Sequence, residues 1–323
     1  MSRDYAVVSS VPEVAAAVSP HLPNMNAVDA VICGVLVAAA RSPGVAMGSV
    51  QLSVGGPGTG FHAVDGRVRQ PGFGVPRPRG FEDIRDIPAA ARVAVPTFAP
   101  ALAGTLGTFG TWTATQAANL AMPFAGKSAR TAWLKLFGHR GGTLLVGTDI
   151  GQAVLVAGGR LAGGVVTQED MLRATTEVRA SEATNLGGDA WLHTIPWGEA
   201  GEEDLNYSQV VAAVDGRGTF AVATFEDRQD GVYVAELDMH LPGLASPVLR
   251  GVPRVRPGQT LGARAAQGIL VRAGVASASF GLTKGAALPL AEVASNYVDD
   301  VAEHERAPGV FGVGLAKSGA FVR

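Results

Sequence analysis

Hydroxyl side chains are the groups in this chain whose types and spacing leave room for covalent chemistry, because the other usual carriers are absent or badly placed. The single cysteine, Cys33, lies inside the apolar run Ala27–Ala40, where a buried thiol is normally inert. The six histidines, His21, His62, His139, His193, His240 and His304, show no i, i+4 ligand spacing and no flanking Cys or Asp cluster, so neither a zinc site nor any other cofactor is expected. A Ser-His-Asp arrangement could still assemble in space, but no G-x-S-x-G elbow occurs. The acidic pairs Glu202-Glu203 and Asp299-Asp300 read as solvated faces rather than acid/base couples. Phosphate cradles fare no better. Gly55–Gly60 is followed by a strand pattern rather than a helix, and the loop Ala121–Ser128 places Pro123 where a free backbone N–H is needed.

The elements that must position such a hydroxyl follow from composition. Of 323 residues, 47% are apolar, 17% charged and 6% aromatic, and 43 are glycine, so small aliphatic side chains must pack sheets and helices closely. The net charge of −2 and the scattered Lys and Arg imply no nucleic-acid partner. The longest apolar run, Ala30–Ala40, is too short to span a bilayer, so no membrane partner is expected. Asp4, Pro12 and Glu13 interrupt any secretory core, which points to the cytoplasm. Tyr5–Ser10 reads as a strand. Asn26 caps a helix that is apolar on nearly every face, and Ser49–Val54 and Gly60–Val64 form a hairpin. Pro-rich Gly66–Pro88 is a loop, and helices are predicted through Pro96–Phe109, Ala114–Leu120 and Thr131–Phe137, with another opening at Gln168. Beyond an exposed connection at Trp197–Tyr207, Gln209–Val214 and Thr219–Phe225 form a hairpin about Asp215-Gly216-Arg217-Gly218. Val232–Met239 is predicted as a third strand, and Arg264–Ala273 and Leu290–Glu305 as helices.

Several stretches, taken together, resemble the γ-glutamyltransferase family of N-terminal-nucleophile (Ntn) hydrolases. Asn26-Ala27-Val28-Asp29-Ala30 leads into Ser42-Pro43-Gly44-Val45-Ala46-Met47-Gly48-Ser49, where the family has Ser-Gly-Ile-Gly-Gly-Gly-Gly-Phe. Val93-Ala94-Val95-Pro96, with Phe109-Gly110 at the end of the helix that follows, is similar to a family segment, as is Gly163-Gly164-Val165-Val166-Thr167-Gln168-Glu169-Asp170-Met171. Their order and spacing agree over most of Asn26–Arg179.

The resemblance implies an α+β fold, a four-layer αββα sandwich of the Ntn-hydrolase type. Its N-terminal part, residues 1–207, would be large-subunit-like and its C-terminal part, residues 208–323, small-subunit-like, both in one folded unit. Counting seven residues back from Asp215 gives Ser208 as nucleophile, at the exposed start of its strand, followed by Gln209 and Val210 where the family has Thr and His. Cleavage before Ser208 would free an α-amine able to act as its general base. Gly258, in Pro257-Gly258-Gln259, matches the family's oxyanion turn with one glycine lost. Pro242-Gly243 replaces the family's double Ser, ahead of Leu244-Ala245-Ser246-Pro247. Arg67, Arg69, Arg77 and Arg79 lie near the place of the carboxylate-binding Asp-Gly-Arg-Glu segment without a clear match to it. Arg77, Arg79 and Ser246 are the substrate-binding candidates. The implied activity is hydrolysis of a small non-γ-glutamyl amide, with a homo- or hetero-oligomer compatible. The alternative is a catalytically inactive binding or partner subunit, with Ser208 an ordinary strand residue.

Overall fold

A computed structural model describes residues 5–79, 81–248, 253–287, 289–299, 308–316 and 319–322. Numbered in chain order, the first sheet holds β1 (Ala6–Ser9), β2 (Val50–Gly56), β3 (Gly60–Gly66), β4 (Glu177–Ala180), β7 (Ser208–Val214) and β8 (Phe220–Glu226). The second holds β5 (Glu182–Gly187), β6 (Ala190–Thr194), β11 (Gln267–Arg272), β12 (Val275–Leu282), β13 (Val310–Ala316) and β14 (Gly319–Val322). Neighbours are antiparallel throughout, in the orders β1-β7-β8-β2-β3-β4 and β14-β13-β12-β11-β6-β5. β9 (Val232–Val234) and β10 (Met239–Leu241) form a separate ribbon.

Alternation along β7 shows how the layers stack. Val210, Ala212 and Val214 join Phe220, Val222, Ile269 and Val313 between the sheets, whereas Val211 and Ala213 join the residues of α2 (Ala27–Arg41) on the outer face. That helix is buried on all sides up to Ala40, and Gly34 lets it approach: a Cβ there would lie 2.9 Å from Val211. The remaining N-terminal helices are α1 (Pro12–Val18), α3 (Phe98–Phe109), α4 (Ala114–Ala121), α5 (Arg130–Arg140), α6 (Asp149–Gly158) and α7 (Gln168–Leu172), and α1 to α6 share the α2 core. On the far side, α8 (Leu290–Asp299) brings Val293 and Ala294 against Leu192, Leu270 and Phe280 of the second sheet. The result is the four-layer αββα sandwich, and β7 and β8 lie inside the first sheet between strands from the N-terminal part.

Three expectations need correction. Gln267–Arg272, expected to be helical, is β11 at the centre of the second sheet, where Ile269 and Leu270 bury on opposite faces. Val232–Met239 is not one strand but two arms, β9 and β10, reversed through Asp238 at φ 53°. Strands β4 to β6 and β12 to β14 were not expected at all. Of the last predicted helix, Leu290–Asp299 is seen, and the remainder lies outside the described residues.

Two carboxylates hold the start of α2. Asp29, fully buried, accepts from the N–H groups of Asn26 (3.0 Å), Thr111 (2.8 Å) and Trp112 (3.0 Å) and from the Thr111 hydroxyl, while Asn26 Oδ1 accepts from Asp29 N–H. Asp215 Oδ2 accepts from Ala27 N–H at 3.2 Å, and its Oδ1 accepts from Arg217 and Thr219 N–H within the β7–β8 turn. Asp29→Ala strands several buried donors at once, and a loss of about 3–5 kcal/mol is expected in urea unfolding. A loss below about 1 kcal/mol would show that water replaces the carboxylate.

Candidate active site between the sheets

At one end of the sandwich β7 and β2 begin and β8 and β3 end, and strand alternation puts the terminal residues Ser208 of β7 and Glu226 of β8 on the inter-sheet face, in phase with Val210 and Val222. Ser208 opens β7 there and pairs with Glu226 at the end of β8. Asp227 N–H donates to Tyr207 O at 3.1 Å, which makes 207/227 the hydrogen-bonded pair and 208/226 the closer, non-hydrogen-bonded one. Ser208 is buried at 4% exposure, not exposed as its place at a strand start suggested, because the preceding segment folds over it. Its Oγ donates to the carbonyl of Asp204 at 3.0 Å. That turn is anchored by buried Leu205, which packs with Leu192 and Leu270, and further back by Trp197 Nε1 donating to Gln51 Oε1 at 2.8 Å. The stretch from Trp197 to Tyr207 is thus exposed in its middle but fastened at both ends.

Glu226 is 3% exposed, and neither carboxylate oxygen closes a hydrogen bond of good geometry. Arg228 Nη1 lies 3.7 Å from Oε1, yet the same guanidinium grips Asp230 at 2.7 Å and stacks 4.1 Å over the Tyr207 ring. Burial pushes the Glu226 carboxyl upward. The charge of Arg228 and the approach of the Ser49 hydroxyl and the Ala263 and Ser49 N–H groups oppose that shift without cancelling it. Ser49 Oγ against it closes no hydrogen bond of good geometry either, and farther along the inter-sheet face Thr224 Oγ1 and Gln267 Oε1 are buried without partners. A chain ribbon covers this group at Gly262 (φ 95°), where a Cβ would lie 2.8 Å from Ser49 Oγ, so only glycine fits.

Across β2, the end of β3 carries a cationic group. Arg67 makes two bonds to Asp65, at 3.0 and 3.1 Å, Arg69 reaches the same carboxylate at 3.8 Å, and the Arg67 guanidinium lies 5.7 Å from the Trp197 ring centre. Asp65-Gly66-Arg67 does match the first three residues of the Asp-Gly-Arg-Glu pattern, a match the sequence reading missed. Among the described residues no group of three His, Cys, Asp or Glu side chains converges to hold a metal ion.

The other sequence candidates gather around Gln70 instead of Ser208. Gly258 N–H donates to Gln70 O at 2.8 Å, and Ser246 N–H donates to Gln70 Oε1 at 2.8 Å. Arg77 lines a cavity of about 320 Å³ with Arg160 and Thr167; burial, then the nearby Arg254, pull its pKa down, and one Nη has no partner. Arg79 is exposed. A cavity of about 500 Å³ lies at the opposite end of β7, lined by Tyr5, Asn26, Asp215 and Arg217. Sequence reasoning passed over Glu226 and Ser49; their signal was an acid closing an otherwise apolar strand and a serine opening its neighbour.

No family model matches the chain, and no curated protein matches it significantly. Solved structures do. Cephalosporin acylase from Bacillus halodurans is similar over 87% of this chain and 77% of its own, at 13% identity and a TM-score of 0.65. A γ-glutamyltranspeptidase from Pseudomonas nitroreducens, complexed with L-DON, is similar over 59% of this chain and 71% of its own, at 15% identity and a TM-score of 0.51. The fold is therefore that of the Ntn hydrolases, as the sequence resemblance implied. No helix among the described residues is long and apolar enough to cross a membrane.

The upward shift of Glu226 carries a sign. The folded state holds this proton more tightly than the unfolded one, so the favourable contribution is complete in acid and is lost as pH rises through the raised pKa. Glu226→Gln is expected to raise the melting temperature at pH 8 and to leave it nearly unchanged at pH 4. An equal change at both pH values would mean that the charged form is not penalised.

Proposed function

We propose that this chain is an amide-bond hydrolase of the N-terminal-nucleophile class, with Ser208 as nucleophile after cleavage of the Tyr207–Ser208 bond. One observation carries the reading. A serine opens a strand inside the first sheet, buried at the inter-sheet end opposite the buried carboxylate of Glu226, within a fold shared with an acylase and a transpeptidase. Once the peptide bond is cut, the α-amine of Ser208 takes the hydroxyl proton as Oγ attacks a substrate carbonyl, and returns it to the leaving amine. Water then resolves the acyl-enzyme.

Developing charge on the carbonyl oxygen needs backbone donors. Gly258 would have to release Gln70 to serve, whereas the Gly262–Ala263 ribbon already lies against Glu226 and Ser49. Arg77, Arg79 and Ser246 remain the proposed substrate contacts, with the 320 Å³ cavity at Arg77 sized for a small acyl or amine group. The fork of Arg67 is occupied by Asp65, which argues against recognition of a γ-glutamyl α-carboxylate.

Intact-mass measurement tests the central step. Wild-type protein should separate under denaturing conditions into Met1–Tyr207 and Ser208–Arg323, while Ser208→Ala stays whole and loses at least about 1,000-fold in amide hydrolysis. A whole wild-type chain whose hydrolysis survives Ser208→Ala would remove Ser208 from the mechanism. A whole chain without activity would favour the binding-subunit alternative.

Across a panel of N-acyl anilides, the γ-glutamyl anilide is expected to turn over at less than about one hundredth the rate of the best substrate. Robust γ-glutamyl turnover would mean that Arg67 lets go of Asp65 to bind substrate.

A further inference from the structure

Glu226 has properties that a sandwich does not need for packing. It faces Ser208 across a non-hydrogen-bonded pair, where opposed Cβ atoms stand about 4.5–5.5 Å apart. Both carboxylate oxygens are buried, neither closes a hydrogen bond of good geometry with the Ser49 and Ala263 donors that approach, and its cation at 3.7 Å is shared with Asp230. Burial of an unsatisfied acid is costly, and an apolar residue would serve β8 better.

We infer that Glu226 is the proton carrier in cleavage of the Tyr207–Ser208 bond, an inference that rests on Ser208 being the nucleophile. Before cleavage the Ser208 nitrogen is an amide and cannot act as a base, so the self-cleaving step needs a base other than the one used later on substrate. Ser208 Oγ now donates to Asp204 O, and cleavage requires its side chain to rotate and exchange that acceptor for the carboxylate of Glu226 on the facing residue. The carboxylate removes the Oγ proton as Oγ bonds to the Tyr207 carbonyl carbon. The carbonyl oxygen, already accepting from Asp227 N–H at 3.1 Å, carries the negative charge. Collapse breaks the C–N bond, and the leaving Ser208 nitrogen takes the proton from Glu226. Water hydrolyses the resulting ester, leaving the Tyr207 carboxylate and the Ser208 hydroxyl and amine.

The pH dependence follows from the groups that face Glu226. These are Ser208 from β7, Ser49 just before β2, the Gly262–Ala263 backbone and Arg228 from the continuation of its own strand. Arg228 stays charged across the accessible range, and burial raises the carboxyl, so cleavage speeds up as pH climbs through the Glu226 titration.

The test uses the full chain freshly made by cell-free translation, chased between pH 5 and 9 and read by intact mass. Glu226→Gln should fold, with a melting temperature at or above that of the wild type, and cleave at least about 100-fold more slowly. Glu226→Asp should keep part of the rate, and the wild-type rate should rise with pH while the residual Gln rate stays flat. Cleavage of Glu226→Gln within about threefold of the wild type, with Ser208→Ala whole, overturns the role of Glu226 and leaves Ser208 standing. A wild-type chain that stays whole at every pH overturns both.

Discussion

The carboxylate of Asp215 collects backbone N–H groups from two distant parts of the chain, and the placement of everything else near Ser208 depends on it. Two of its bonds close the β7–β8 turn, and the third reaches the first residue of the buried helix 188 positions earlier. A slip of one residue in β7 would turn Val210, Ala212 and Val214 out of the inter-sheet core, so the turn and the helix together set the register. Ser208, seven residues from that carboxylate, inherits its position at the other end of the strand.

That other end is built against stability. Ser49, Thr224, Glu226 and Gln267 keep buried polar atoms without partners, where an ordinary sandwich would continue the Val and Ala alternation seen farther along the same strands. Such local violations of packing logic are characteristic of functional surfaces, and here one of them, Glu226, stands directly opposite Ser208. The buried Asp65, gripped by Arg67 and Arg69, stands across β2 from Thr224 on the same face.

Much of this was legible from residue patterns. The capped apolar helix from Ala27 to Arg41 and the hairpin around Asp215 are local signals, set by a cap and a turn, and both stand. The seven-residue count back to Ser208 came from the family resemblance, laid onto that hairpin. What escaped notice is long-range. β11 carries Arg264, Ala265, Ala266 and Gln267 at its entry, good helix formers overruled by flanking strands. β4 and β5 are exposed edge strands without apolar alternation. Glu226 looks like a strand ending in solvent until the ribbon at Gly262 is seen to cover it. Gly258 and Ser246 cluster around Gln70, a glutamine with no motif to announce it.

The interleaving of β7 and β8 between β1 and β2 has a topological meaning. If the backbone is severed before Ser208, the two pieces share both sheets, through the β1–β7, β8–β2 and β6–β11 pairs, and one inter-sheet core, so neither can depart without opening all three. Refolding after separation would then become a bimolecular reaction, dependent on concentration and far slower than that of the intact chain. The cut form would thus be held together by kinetics as much as by affinity, and its lifetime would be set by the barrier to extracting two central strands from a six-stranded sheet.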